Sequence, residues 1–160
     1  MNASTFQSGI LAHDPQGAAL WEKLCGLSFD RNAGPNTFAA RLASEQGWSA
    51  EFTSRVIEEY RRFLLLFAME QRREQVNPAI PGVVPPVRIV PSAMVDKAWH
   101  LHLLYTQSYW ETLCRDILGE PLHHQPASGS PGESATFDEV YQVNMENYRA
   151  TFGELAPNDI

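Results

Sequence analysis

Ser49–Glu74 reads SAEFTSRVIEEYRRFLLLFAMEQRRE, and this stretch decides the fold class. Phe52, Val56, Tyr60, Phe63 and Phe67 recur at i, i+4, i+8, i+11 and i+15, which is the period of one face of an α-helix. Ile57 and Leu64 widen the stripe, while Arg55, Glu58, Glu59, Arg61 and Arg62 lie mostly off it. Ser49 is placed to cap the helix, and Glu51 in the first turn complements its dipole. So wide an apolar face must be buried against other elements, and the neighbouring sequence supplies helices to do it.

Upstream, about Pro15 to Leu27 carries Leu20, Leu24 and Leu27 at helical spacing beside Trp21, with Asp14 as cap and Pro15 at the first helical position. A second segment, about Thr37 to Glu45, places Phe38, Ala39 and Leu42 on one side and stops at Gly47. Downstream, residues 75–91 contain five prolines, which no helix interior tolerates. Pro85 and Pro86 remove two ladder donors, so this apolar segment reads as an extended, packed connector with at most an edge strand. Ser92 to Gly119 is helical again. As one rod it would span ~40 Å, and Tyr105-Thr106-Gln107-Ser108, with two hydroxyls that compete for backbone bonds, is the expected break. A loop from Glu120 to Ala135 follows. Thr136-Phe137-Asp138-Glu139 fits a capping box that opens a last helix ending near Gly153. The expectation is an all-α fold: one domain over residues 1–160, five to six helices, a Pro-rich connector and a loosely ordered stretch at 1–13.

Composition narrows the function classes. The 160 residues suit a single domain. Twelve Lys and Arg against nineteen Asp and Glu give a net charge of −7. That balance speaks against a nucleic-acid binder, which needs cations to displace phosphate counterions, and against an anionic membrane surface. The longest apolar run, Phe63 to Met69, is far short of the ~20 residues of a membrane span. Met1 to Gly9 lacks the basic and apolar regions of a secretory signal. Cys25 and Cys114 form no CxxC and read as reduced, buried thiols. A cytoplasmic protein is expected.

The chemistry concentrates in Val95-Asp96-Lys97-Ala98-Trp99-His100-Leu101-His102 and in the pair His123-His124. Four of the five histidines fall within 25 residues. Asp96 and His100 are i and i+4, so carboxylate and imidazole share a helix face. They can ligate a metal together, or the carboxylate can hold the ring and set its tautomer. His102 lies ~200° around the axis from His100. It is a second-tier candidate that can instead hydrogen-bond within the core. His123 and His124 reach His100 only if the chain reverses between residues 105 and 108; on a straight helix they lie ~30 Å away. Glu133, in a Gly-Ser-Pro-Gly context, is a second-tier base or ligand. There is no GxGxxG, P-loop, HExxH or GxSxG.

At these residues the chain resembles a known family. Pro91-Ser92 to Tyr109, with Val95-Asp96 followed by WHLHLLYTQSYW, is similar to the signature of the glycine-rich domain-containing protein-like family. Leu113-Cys114, Gly119 and Pro121-Leu122-His123-His124 extend the likeness, as do FAARLASEQGWSAEFTSRVIEEYRRFLLL upstream and Glu133, Tyr141, Tyr148 and Phe152-Gly153 downstream. The resemblance covers nearly everything after about residue 36. It implies a compact helical domain around the Asp96–His100–His102 helix and supplies no reaction. The chain has only ten glycines and no glycine-rich tract, so roles that depend on such a tract, RNA-related ones included, do not transfer.

Three functional readings follow. In the first, Asp96, His100, His123 and His124 bind a metal, zinc or iron being favoured by imidazole and carboxylate ligands. In the second, the WHxH motif is structural and the acidic surface meets a protein partner. In the third, the His–Asp pair performs metal-free acid–base catalysis.

Overall fold

The computed structural model describes residues 9–30, 36–78, 89–124 and 133–160, with the backbone alone described for 133–139. The expected all-α architecture is what these residues adopt: six helices, and no strand among the described residues. They are α1 (Pro15–Cys25), α2 (Phe38–Gln46), α3 (Ala50–Val76), α4 (Ala93–Leu104), α5 (Gln107–Leu118) and α6 (Glu133–Phe152). No described helix is long and apolar enough to cross a membrane.

Side-chain oxygens set the helix starts. Asp14 accepts from the Gln16 N–H at 3.0 Å, Thr37 from Ala40 at 3.2 Å, Ser49 from Phe52 at 3.1 Å and Ser92 from Val95 at 3.2 Å. Each of these pairs one of the four N–H groups that a helix leaves without an internal partner. The 27-residue α3 is the central element, and α1, α2, α4 and α6 all pack on it. Its fully buried Val56, Tyr60, Leu64 and Leu65 meet Leu24 of α1, Leu42 of α2 and Leu113 of α5 in one core. Arg61 reaches from α3 to the carbonyls of Leu24 and Leu27 at 3.0 and 3.2 Å and closes the C-terminal end of α1.

The expected break in the 92–119 stretch falls at Tyr105 and Thr106. Across it, buried polar groups stitch the pieces together. His102 of α4 is completely buried. The Ser108 hydroxyl donates to the Ser28 carbonyl at 3.0 Å, so it accepts from the His102 Nε2–H, also at 3.0 Å. Nδ1 is then the acceptor for the Tyr60 hydroxyl at 2.9 Å. The ring is held as one neutral tautomer between α3, α4 and α5. Burial, with the Arg61 guanidinium adding to it, lowers its pKa to about 3.

The α5 segment is wound as a π-helix, ending at Gly119, whose N–H donates to the Cys114 carbonyl five residues back at 2.8 Å. Its buried residues are Ser108, Tyr109, Leu113 and Cys114, two pairs each separated by five positions. On a regular α-helix residues five apart point ~140° from each other; the wider winding puts each pair on the same side.

One expectation changes. The last helix begins at Glu133 rather than Thr136. An acidic residue at the first position suits the positive end of the helix dipole, and the capping-box side chains at 136–139 lie outside the described residues. Of residues 9–13, Leu11 alone is buried and Ile10, Ala12 and His13 are exposed. Ile10–Ala12 forms a 3₁₀ turn with Leu11 buried. Gly9, at φ +94°, presses so close to α6 that a Cβ would sit 2.5 Å from the Thr151 carbonyl oxygen. Residues 1–8 lie outside the described residues, as does most of the Pro-rich connector (79–88) and of the following loop (125–132).

Two stability measurements follow. Gly9→Ala meets both a backbone collision and left-handed strain, whereas Gly47→Ala, at φ +69° with nothing within 4 Å of the new methyl, meets strain alone. Urea unfolding should show roughly 1–2 kcal/mol lost for Gly47→Ala and clearly more for Gly9→Ala; equal losses would contradict the packing at Gly9. Because His102 binds its proton far less readily folded than unfolded, folding stability is full above about pH 6.5. It falls by about 1.4 kcal/mol per pH unit as the pH drops towards 3. Between pH 7 and 5 the wild type should lose about 2 kcal/mol more than His102→Gln; parallel profiles would contradict this account.

Candidate metal centre

Asp96 and His100 project from the same side of α4, one turn apart. His124 arrives from the segment after α5. The three offer one nitrogen or oxygen each within 4.8 Å of one another. His124 Nε2 stands 2.8 Å from Asp96 Oδ1, and His100 Nε2 stands 3.7 Å from Asp96 Oδ2. The two imidazole rings are 4.4 Å apart between centroids. An ionised carboxylate only accepts, so the His124 proton in the 2.8 Å contact sits on Nε2. Ligating through that nitrogen requires the proton to leave or move to Nδ1.

The surroundings grade the site from closed to open. The His124 side chain is 13% exposed, Asp96 32% and His100 55%. The Trp99 ring covers the closed side, 4.4 Å from the His124 ring. Phe63 of α3 backs Trp99 in turn, with centroids 5.1 Å apart.

Tyr109 explains how His124 gets there. The Trp99 indole N–H donates to the Tyr109 hydroxyl at 2.9 Å, and that hydroxyl donates to the Leu122 carbonyl at 2.6 Å. The bridge runs from α4 through α5 to a residue two positions before His124. Leu122 is itself buried, which fixes the backbone a second time. Burial pushes the Tyr109 pKa up to about 12, so the hydroxyl keeps the proton that it donates. Gly119, at φ +82°, makes the left-handed turn that sends the chain back.

The sequence candidates therefore separate. Asp96, His100 and His124 converge. His123 is not in that group; it is exposed, with its ring 6.0 Å from that of Trp110. Adjacent residues in this extended segment point different ways, so only one of the pair can face α4. His102 has both ring nitrogens engaged in the core. The Glu133 side chain lies outside the described residues. Trp99 and Tyr109 shape the site without having been singled out for it. Their indole and hydroxyl partners, distant in the chain, reveal the bridge.

Three donors of this kind are chemically matched to a metal. Two imidazoles and one carboxylate serve both zinc sites with an open position and non-haem iron(II) sites. Ligands on one such ion stand at most ~4 Å apart, given bonds of ~2 Å. In a tetrahedral site three such ligands stand ~3.3 Å apart, so the described group, whose ligand atoms lie within 4.8 Å of one another, needs a contraction of up to ~1.5 Å.

Comparison with known proteins places the chain in a family. No curated protein and no solved structure matched the chain. Residues 33–139, well over half of the sequence, match the sequence model of the UCP032817-like family, and the matched stretch contains α2 to α5 together with Asp96, His100 and His124. The chain belongs to the UCP032817-like family.

Proposed function

We propose that Asp96, His100 and His124 hold one divalent metal ion, zinc or iron(II), and that the domain uses it at an open site. The observation that carries this reading is the convergence of three ligating side chains, two imidazoles and a carboxylate, within 4.8 Å from two separate parts of the chain. A metal bound there would polarise a water or a carbonyl and so serve hydrolysis or a related step. His124 and Trp99 form the closed wall, and the half-exposed His100 leaves the solvent side free for a substrate. The likeness of the Pro91–Tyr109 segment to the glycine-rich domain-containing protein-like family belongs to the same proposal, since that segment supplies Asp96 and His100. A second reading is favoured by the 2.8 Å Asp96–His124 contact: the pair acts as a metal-free general base, with the carboxylate fixing the imidazole.

Elemental analysis of protein purified without a His tag should find about one zinc or iron per chain. After chelation, restoring the metal at 100-fold over its Kd should stabilise the fold by about 2.7 kcal/mol. Asp96→Ala, His100→Ala and His124→Ala should each abolish this gain, and His123→Ala should keep it. An absent gain, or an equal loss in His123→Ala, refutes the metal reading, and activity that survives chelation selects the dyad. Tyr109→Phe should fold with about 1–3 kcal/mol less stability, because the Trp99 N–H and the Leu122 carbonyl lose their shared partner. It should also bind metal roughly 10–100-fold more weakly, the usual loss when a supporting hydrogen bond is removed. Unchanged affinity would show that Leu122 alone places His124.

A further inference from the structure

Gly153, at φ +75°, turns the chain out of α6, and residues 154–160 run back along α3. Burial changes sharply at this turn. Tyr148, Thr151 and Phe152 before it are buried, and the Phe152 ring meets that of Trp21 at 6.2 Å. None of residues 153–160 is buried. Ala156, Pro157 and Ile160 are half-covered and border a void of about 50 Å³ together with Phe63, Val95 and Met145. That is far below the ~300–1,000 Å³ of sites that hold small molecules. The segment therefore closes over an apolar wall and not over a ligand chamber.

Two ion pairs hold the segment down, one near each end. Glu154 Oε1 is 2.6 Å from Arg62 Nη1, and the Asp159 carboxylate accepts from both Nη atoms of Arg55 at 2.6 and 2.9 Å. Arg55 and Arg62 are seven positions apart on α3, about two turns along one side of the helix. The Glu154 side chain is 52% exposed and that of Asp159 55%, so water and salt reach both latches. Neither release strands a buried charge. Arg62 keeps Glu59, 3.5 Å away, and its hydrogen bond to the Tyr148 hydroxyl. Arg55 is exposed and passes to water.

We propose that residues 154–160 are a charge-latched strap that opens about Gly153 and thereby loosens the wall behind the metal centre. Phe63 and Val95 carry the link. Phe63 backs Trp99, whose ring covers His124, and Val95 immediately precedes Asp96. Both are buried with the strap in place, and opening takes cover from them. The strap stands on its own contacts; only its effect on metal binding rests on the reading above.

Amide and indole NMR spectra of the full chain in chelator test this. Glu154→Lys combined with Asp159→Lys sets like charges against Arg62 and Arg55 and supplies the open reference. Arg55→Gln and about 1 M salt should each move the amides of residues 155, 156, 158 and 160 towards that reference along one line. Losing one exposed pair should raise the open fraction about 2–5-fold. The Phe63 amide and the Trp99 indole N–H should move in proportion. Where zinc binds the wild type, the charge-reversed chain should bind it about 2–30-fold more weakly. Strap amides that stay put under salt and Arg55→Gln, or that move along unrelated lines, would overturn the strap. Strap shifts without any at Phe63 and Trp99, or equal zinc affinity, would overturn its link to the metal centre. A wild type that binds no zinc overturns the metal reading alone, since the metal-free spectra decide the strap.

Discussion

The reversal at Tyr105 and Thr106 is the constraint on which the rest of the molecule depends. Two buried polar relays hold it. One joins Tyr60, His102, Ser108 and the Ser28 carbonyl, and the other joins Trp99, Tyr109 and the Leu122 carbonyl. Each runs in one direction, from donor to acceptor, and each ends on a backbone carbonyl outside its donor's own helix. Apolar contact alone would accept several rotations of α5 about its axis. Directional bonds accept one, and that one returns the chain to α4 with His124 facing Asp96.

The histidines show how environment decides the use of a residue type. His102 is enclosed by Phe29, Phe38, Tyr60 and Tyr109, and its nitrogens are engaged on both sides. It is a neutral hydrogen-bonding strut. His100, two residues earlier, is on the opposite side of the same helix and open to solvent. His124 stands between these extremes, walled by Trp99 yet adjoining the carboxylate. The spacing of two on a helix is sufficient to divide structural from chemical duty.

Much of this was legible in the residues because it is local. Caps at Asp14 and Ser49 depend on neighbours within three positions, and the α3 stripe depends on a period. The i, i+4 relation of Asp96 to His100 is likewise a property of one helix, and the break before Ser108 could be read from competing hydroxyls. What could not be read depends on contacts made across the chain. The choice of His124 over His123 is made by the Leu122 carbonyl, 13 residues from the hydroxyl that grips it. The role of Tyr109 was hidden for the same reason. The start of α6 at Glu133 was missed because a capping-box pattern three residues later gave an equally sound local solution.

The π-winding of α5 has a consequence for how this chain tolerates changes in length. Ser108 with Leu113, and Tyr109 with Cys114, face inward together only because the turn takes up more residues than an α-helix would. Deleting one residue between Thr106 and Gly119 would let the segment relax to tighter, intrinsically preferred winding. The local gain would come with a rotation of everything beyond the deletion, including the Gly119 turn and the approach of residues 122–124. The number of residues in this helix is therefore as much a part of its specification as their identity: substitutions within it can be conservative, but a change of register cannot.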